Sequence, residues 1–190
     1  MTSPDRTLAL AAAAMAIVAA AGLGALLPGY SQLWHPLALP GATGVPRAPA
    51  YNLALFVLPG LALSALAWRM RARLPAGSGL GPRVGTATLL LSALAWAAQG
   101  VLPLDPEGMD AGASRLHAAA WMLWWIAFIA GATLVAWRVR GLRASTLAAW
   151  LLVPGLAVLA PQLLGAGPSQ RLAVAAWFGW MWCAAGRLRD

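Results

Sequence analysis

Three polar side chains near the middle of the chain have types and a spacing that suit hydrolysis. Asp110, Ser114 and His117 are four and then three positions apart, so in a helix that begins at Asp110 they lie on one stripe. A carboxylate, a hydroxyl and an imidazole are the groups of a nucleophilic hydrolase. Helix capping by Asp110 and Ser114 is the favoured alternative, because a stripe alone does not orient a nucleophile against its base.

His117 is the ionisable group that departs most clearly from the apolar pattern around it. It lies about one helical turn into an apolar segment, where an ionisable side chain is by default a functional candidate. Its imidazole is the candidate base of a hydrolase, with Asp105 or Asp110 to orient it. A hydrogen bond to Gln99 or Asp105 would instead only satisfy it.

Metal and haem chemistry have weak support from the sequence. His35 and His117 are the only histidines. Two histidines can ligate a haem, and two histidines with Asp105 or Asp110 can hold a divalent metal. Their spacing fits no paired ligand motif, and Cys183 is the single cysteine, so we expect no metal site and predict no cofactor.

Three arginines stand apart from the basic clusters. Arg47, Arg115 and Arg171 fall on the same predicted side as the acidic residues Asp105, Glu107 and Asp110. They could hold the anionic headgroup of a lipid, or they could pair with the three acids. Pairing is the favoured alternative, because it needs no ligand.

The elements that position these groups are predicted to be membrane helices. The 190-residue chain is 61% hydrophobic and only 9% charged, whereas about a quarter of the residues in a soluble domain are charged. The net charge of +8 comes from 13 arginines without any lysine, placed at the ends of apolar runs. This pattern excludes nucleic-acid binding and is typical of topology signals.

Six apolar runs approach the ~20 residues that a helix needs to cross a bilayer. The predicted fold is an all-α, polytopic bundle that forms one integral membrane domain over residues 1–190. The predicted spans cover residues 8–27, 52–68, 84–102, 116–137, 146–164 and 171–186, and the outer loops cover 28–51, 103–115 and 165–170. Proline and glycine in the first outer loop predict a folded, turn-rich cap.

The arginines also predict orientation. With both termini in the cytoplasm, ten of the 13 arginines are cytoplasmic, as expected for loops that stay inside during insertion. The first span also resembles a cleavable signal peptide, but its apolar run is longer than the usual ~7 to 15 residues, and we expect it to be retained.

The even-numbered spans end alike, in Ala67-Trp-Arg-Met-Arg71, Ala136-Trp-Arg-Val-Arg140 and Ala185-Gly-Arg-Leu-Arg189. The odd-numbered spans end in Leu26-Leu-Pro28, Val101-Leu-Pro103 and Leu163-Leu-Gly165. These similarities favour three repeated helical hairpins. Topology alone would produce about half of the likeness, because every cytoplasmic end needs basic residues.

Three stretches carry a family resemblance: His35-Pro-Leu-Ala-Leu-Pro-Gly-Ala-Thr-Gly44, then Asn52 with Phe56-Val-Leu-Pro-Gly60, then Leu102-Pro-Leu-Asp105 followed by His117. Over most of its length the chain resembles a bacterial family of six-span membrane proteins of unknown function, the DUF998 type. It is also distantly similar to DRAM-like membrane proteins. The resemblance implies a bacterial inner (cytoplasmic) membrane location and a single outer-side site containing His35, Asn52, Asp105 and His117.

The sidedness of the polar groups favours a non-enzymatic protein. We predict that it binds a lipid or small amphiphile in an outward-facing pocket capped by the first loop, with a transport, sensing or envelope-maintenance role. The candidate ligand-binding residues are His35, Asn52, Gln99, Asp105, Arg115 and His117. The alternatives are an intramembrane hydrolase or lipid-modifying enzyme using His117 with Asp105 or Asp110, and a haem or metal-binding redox protein. Membrane lipids are the expected partners, and the oligomeric state stays open.

Overall fold

The computed structural model describes residues 4–108 and 112–187, and every regular element in these two ranges is helical. Six long helices account for most of them. They are α1 (Pro4–Leu23), α2 (Ala48–Ala72), α3 (Leu80–Val101), α4 (Gly112–Arg138), α5 (Arg140–Leu159) and α6 (Ala166–Arg187). Single turns of helix occur at Leu39–Gly41 and Pro161–Leu164.

Five of these helices, α1 to α5, are long and apolar enough to cross a membrane. An all-helical, multi-pass membrane protein is therefore confirmed at this level. The predicted count of six is not, because α6 does not reach the same apolar character within the part of the chain that the structure describes. Its 22 residues are sufficient in length, but its first turns contain Ser169, Gln170 and Arg171.

A widened turn of π-helix absorbs a proline inside α2, where Leu53–Val57 precedes Pro59. A second π turn, Gly155–Leu159 at the end of α5, precedes Pro161. Proline has no N–H and crowds the carbonyl one turn earlier, so a local increase in residues per turn relieves the clash without ending the helix. A third π turn, Ala19–Leu23 in α1, contains no proline.

The helices form a closed ring in which each packs against its neighbours in sequence, and α6 also packs against α1. Successive helices alternate in direction. One end of the bundle, the arginine end, holds Arg69, Arg71, Arg73, Arg138 and Arg140. There, Arg69 lies 2.9 Å from the carboxylate of Asp5, which Arg73 also contacts. The opposite end, the loop end, carries residues 24–47 and 102–108, and an N–H of the first loop, that of Thr43, donates to the carbonyl of Leu104 over 2.8 Å.

Glycine allows α3 to approach both of its neighbours at backbone distance. A Cβ at Gly60 would lie 2.7 Å from the backbone nitrogen of Ala97, and one at Gly100 would lie 2.9 Å from the carbonyl oxygen of Asn52. Between α3 and α4, Gly85 and Gly131 face each other's carbonyl oxygens in the same way, at 3.0 and 2.8 Å. In a membrane the hydrophobic effect does not drive helices together, because lipid is as apolar as the side chains. Small residues let helices pack closely instead, and van der Waals contacts then stabilise the pair.

Indole rings fill the centre of the ring of helices. Trp96 of α3 is fully buried, with ring centroids 5.2 Å from Trp124 of α4 and 5.3 Å from Trp177 of α6. Phe56 of α2 adds a fourth ring at 4.9 Å from Trp96. Tilted and edge-on pairs at these distances are favourable. The core therefore joins α2, α3, α4 and α6, with α6 as a full member.

Helix ends differ from the predicted spans by one to six residues, at both ends of the bundle. Helix α2 begins at Ala48 rather than Asn52, so the first loop is shorter than predicted. Helix α6 begins at Ala166, which removes most of the predicted loop at 165–170. Proline explains the first difference: proline and glycine predict turns in this segment, whereas Pro49 lies in the first turn of α2, where proline is well tolerated.

Candidate functional site

The first loop is folded and held down by side chains of two helices. Leu37 is its anchor: its N–H donates to Oε1 of Gln170 in α6 over 2.7 Å, and its carbonyl accepts the Tyr51 hydroxyl of α2 over 2.6 Å. The Asn52 amide donates to the carbonyl of Gly41 over 2.8 Å. Asn52 is therefore used to fix the loop, and its side chain is buried.

His35 lies in this loop, and its imidazole ring contacts two other residues of the same loop. Its Nδ1 accepts the N–H of Ser31 over 2.9 Å, and its ring stacks on Tyr30 with centroids 5.7 Å apart. Its carbonyl oxygen faces Nη1 of Arg171 at 3.4 Å.

His117 lies between α3 and α4, at the loop end of both helices. Its Nδ1 is 2.8 Å from the carbonyl oxygen of Leu102 and 3.2 Å from that of Gln99. Both oxygens only accept, so Nδ1 carries a hydrogen, and in the neutral ring Nε2 holds the lone pair. Phe56 meets the imidazole edge-on at 6.1 Å between centroids. The Gln99 amide is 1% exposed, and neither of its polar atoms has a hydrogen-bond partner among the described residues.

Ser114 and Asp105 meet, but through the backbone of Asp105. The Ser114 hydroxyl accepts the Asp105 N–H over 3.0 Å and donates to the Asp105 carbonyl over 3.1 Å. The Asp105 carboxylate accepts the N–H of Glu107 at 3.1 Å, which is an Asx turn. Neither residue has a hydrogen bond to His117. Asp110 lies outside the described residues.

The predicted site residues therefore fall into separate groups. His35 lies in the first loop, to which Asn52 of α2 donates a hydrogen bond. Gln99 and His117 form a second contact, Asp105 and Ser114 form a third, and Arg115 is exposed. No group of three or more histidine, cysteine, aspartate or glutamate side chains able to hold a metal ion occurs within residues 4–108 and 112–187.

A different feature has the shape of a binding site. Between α1 and α6 lies a cavity of about 630 Å³, open on one side. We call it the lateral groove. Its walls are small or apolar side chains of the two helices, and its floor includes Leu55 of α2 and Phe178 of α6, both buried. The lining also includes Ala9 and Ala21 of α1 and Leu172, Gly179 and Trp182 of α6.

The rim of the groove faces outward from the bundle. Leu10 and Ile17 of α1 are 58% and 66% exposed, and Leu172 of α6 is 51% exposed. In a membrane these side chains meet acyl chains, since the centre of a bilayer offers no water. The groove therefore opens toward the acyl chains and not toward the interior of the bundle.

The groove has one polar end, formed by Gln32 and Arg171. Gln32 bridges the two walls: its Nε2 donates to the carbonyl of Ala20 over 2.6 Å, and its Oε1 accepts Nε–H of Arg171 over 2.8 Å. Ala20 lies in the π turn of α1, so this amide bonds to the irregular segment of the helix. At the arginine end, the guanidinium of Arg6 stacks over Trp182, 4.8 Å from the ring centroid.

Arg171 is held by neutral oxygens. Nη1 donates to the carbonyl of Gly167 over 2.7 Å, and Nη2 donates to the hydroxyl of Tyr30. Burial raises the pKa of the Tyr30 phenol above its ordinary value, and the Arg171 charge offsets this only in part. Tyr30 therefore stays protonated at neutral pH and does not neutralise Arg171.

No carboxylate lies within ion-pair distance of Arg171 among the described residues. The favoured expectation, that Arg47, Arg115 and Arg171 pair with nearby acids, thus finds no support at Asp105 or Glu107. The half-buried Arg171 keeps its charge beside an apolar groove.

Sequence reasoning missed Gln32 and the groove, and for Arg171 it favoured pairing with acids over binding of a lipid headgroup. One signal was present: all three predicted outer acids lie between residues 105 and 110, whereas the segment before Arg171 has none. Which loop meets Arg171 depends on α6 closing against α1, and nothing in the local sequence specifies that contact.

Comparisons of the chain with protein families, with curated proteins and with solved structures give no match.

Proposed function

We propose that this protein is a non-enzymatic membrane protein that binds a lipid or small amphiphile in the lateral groove, with its polar group at Gln32 and Arg171. The observation that carries the proposal is the groove itself, which is apolar along its length and polar only at the end beneath the folded first loop. Transport, sensing and envelope maintenance are all compatible roles.

The dimensions of the groove suit one acyl chain. Its wall in α1 runs from Ala9 to Ala21, and its wall in α6 runs from Arg171 to Trp182. At 1.5 Å per helical residue these walls are about 17 to 18 Å long. One leaflet supplies about half of a ~30 Å hydrocarbon core. A single lipid tail therefore fits along the groove with its headgroup at the loop end.

We further propose that α6 is the sixth crossing and that the arginine end faces the cytoplasm of a bacterial inner membrane, with both termini inside. The burial of Trp177 between Trp96 and Trp124 supports the first point, and the arginine clusters support the second. From the sequence motifs alone, we also propose that the chain consists of three repeated hairpins. The same motifs are the basis of the proposed DUF998-type and DRAM-like resemblances.

Hydrolysis has less structural support than binding. The Ser114 hydroxyl gives its hydrogen to the carbonyl of Asp105 rather than to a base, and the Asp105 carboxylate bonds to its own turn. Among the described residues the arrangement of nucleophile, base and orienting acid is therefore not assembled. His117 retains a lone pair at Nε2, so it remains the residue to test for any activity.

Gly179 gives a direct test of the groove. Gly179 lines the groove, and a Cβ at this position has no atom within 4 Å, so Gly179→Phe adds a large side chain to the groove from a point where its Cβ meets no neighbour. We expect the purified variant to fold normally, because phenylalanine is a better helix residue than glycine, and to lose the lipid that wild-type protein retains. Native mass spectrometry of protein extracted in mild detergent measures the retained lipid.

Gly155→Phe is the matched control. Gly155 also has no atom within 4 Å of an added Cβ, but it lies in α5 and does not line the groove. It should retain lipid as the wild type does. Equal lipid retention by the Gly179→Phe and wild-type proteins, or no retained lipid in the wild type, contradicts the proposal.

A further inference from the structure

The lateral groove alone gives little reason for one lipid to stay in it rather than another. Bilayer tails are as apolar as the groove, so moving a tail between them gains no hydrophobic free energy. Selection must therefore come from the polar end, where Gln32 and Arg171 are the groups that line the groove.

Arg171 has the charge and the donors to select a headgroup. A guanidinium offers five N–H groups. Four have acceptors here: Nε–H donates to Gln32, Nη1 donates to Gly167 and more distantly to His35, and one Nη2 hydrogen is donated to Tyr30. One Nη2–H has no acceptor among the described residues.

All four acceptors are neutral. Two are backbone carbonyls, one is an amide oxygen, and the fourth is the Tyr30 hydroxyl, whose pKa burial raises. The unit positive charge is therefore fixed in place but not cancelled. A half-buried cation gains most from an anion that can also accept its remaining hydrogen.

We infer that the lipid of the lateral groove is an anionic one, whose phosphate accepts the remaining Nη2–H of Arg171 and neutralises its charge. This inference rests on the proposed function. A zwitterionic lipid carries the same phosphate with an ammonium beside it, so it gains less from a single fixed cation. The preferred ligand class is a phospholipid with net negative charge.

The hydrogen bonds of Arg171 hold its guanidinium in one orientation, unlike that of an arginine free on the surface. Gln32, Tyr30 and Gly167 orient the guanidinium plane, so the side-chain entropy of Arg171 is already lost before a lipid arrives. An exposed arginine such as Arg47 has no such contacts with the groove.

The test compares two lipids with identical acyl chains. Detergent-purified protein is mixed with equal amounts of phosphatidylglycerol and phosphatidylcholine, and the bound ratio is measured by native mass spectrometry. We expect wild type to prefer phosphatidylglycerol by about fivefold, the order expected for one arginine near an anionic lipid. Arg171→Gln should bring this ratio close to one while still binding lipid, and Arg47→Gln should leave it unchanged.

Arg171→Lys keeps the charge and serves as a second variant if Arg171→Gln loses thermal stability. It should retain a preference for phosphatidylglycerol. If the wild-type protein binds both lipids equally, or if the preference survives in Arg171→Gln, the inference is wrong while groove binding stands. If neither lipid binds to the wild type above the level of Gly179→Phe, the proposed function fails as well.

Discussion

At the scale of single residues, glutamine and arginine side chains form hydrogen bonds between segments of the chain that apolar side chains cannot form. Membrane helices have no solvent to satisfy polar atoms, so each polar side chain needs a protein partner or a ligand. Gln32 illustrates the first case, since one amide satisfies a carbonyl in the π turn of α1 and an N–H of Arg171. Arg171 illustrates the second in our proposal, because all of its acceptors are neutral.

Gln32→Ala should measurably destabilise the protein. The substitution removes two hydrogen bonds, one of them to a charged group, for which we expect a loss of about 1 to 3 kcal/mol in the free energy of unfolding. Denaturant titration of the detergent-solubilised protein measures the loss. Gln162→Ala, at an exposed glutamine of the same end, is the control and should change stability little. Equal effects of the two substitutions would show that the bridge contributes nothing.

At the scale of helices, backbone contact through glycine decides how closely α3 approaches α2 and α4. The paired glycines Gly85 and Gly131 place each carbonyl against the other helix. Any side chain at either position meets backbone, which cannot move without shifting a helix.

Gly131→Ala should therefore destabilise the contact between α3 and α4. Its Cβ would lie 2.8 Å from the carbonyl oxygen of Gly85 and 2.9 Å from the backbone nitrogen of Leu89. Overpacking of this kind costs about 1 to 3 kcal/mol, to be measured as a lower midpoint of thermal unfolding. Gly155→Ala, where the added methyl group meets open space, should leave the midpoint unchanged or slightly higher. A stable Gly131→Ala protein would mean that the two helices are less closely packed than described.

At the scale of the whole molecule, the closing contact between the first and last helices creates the lateral groove. Helix α1 packs on α2 and α6, and its buried face is a row of alanines, Ala9, Ala12, Ala16 and Ala19. Larger residues on this row would push α1 outward. The small side chains allow the two helices to lie close at the floor while the outer walls remain apart.

Crossing number and orientation can be tested together. In a Cys183→Ala background, which removes the only cysteine, Thr43→Cys places a thiol in the first loop and Arg187→Cys places one at the end of α6, both at exposed positions. We expect a membrane-impermeant maleimide to label Thr43→Cys in intact spheroplasts and Arg187→Cys only after lysis. Labelling of both in spheroplasts would mean that α6 does not cross, and the reverse pattern would invert the orientation.

Much of the fold follows from the sequence alone, because crossing a membrane imposes a simple local rule. About 20 apolar residues between charged or turn-forming residues specify a helix regardless of its neighbours. The helical fold, five of the six apolar segments and the clustering of arginines at one end all follow from it. Helix α6 is the exception, because Ser169, Gln170 and Arg171 lower its apolar character while tertiary contacts keep it helical.

The site depended on the tertiary structure. His35, Asn52, Asp105 and Ser114 are conspicuous polar residues in the sequence, yet the hydrogen bonds of their side chains fix loops. Arg171 and Gln32 are 139 positions apart and meet only because α6 closes the ring against α1. Hydrophobic periodicity specifies which segments enter the membrane, but helix neighbours are chosen by side-chain size and packing over the whole bundle. For this reason the sequence determined a membrane protein with a charged end, and only the tertiary structure decided which helices enclose the groove that we propose as a lipid site.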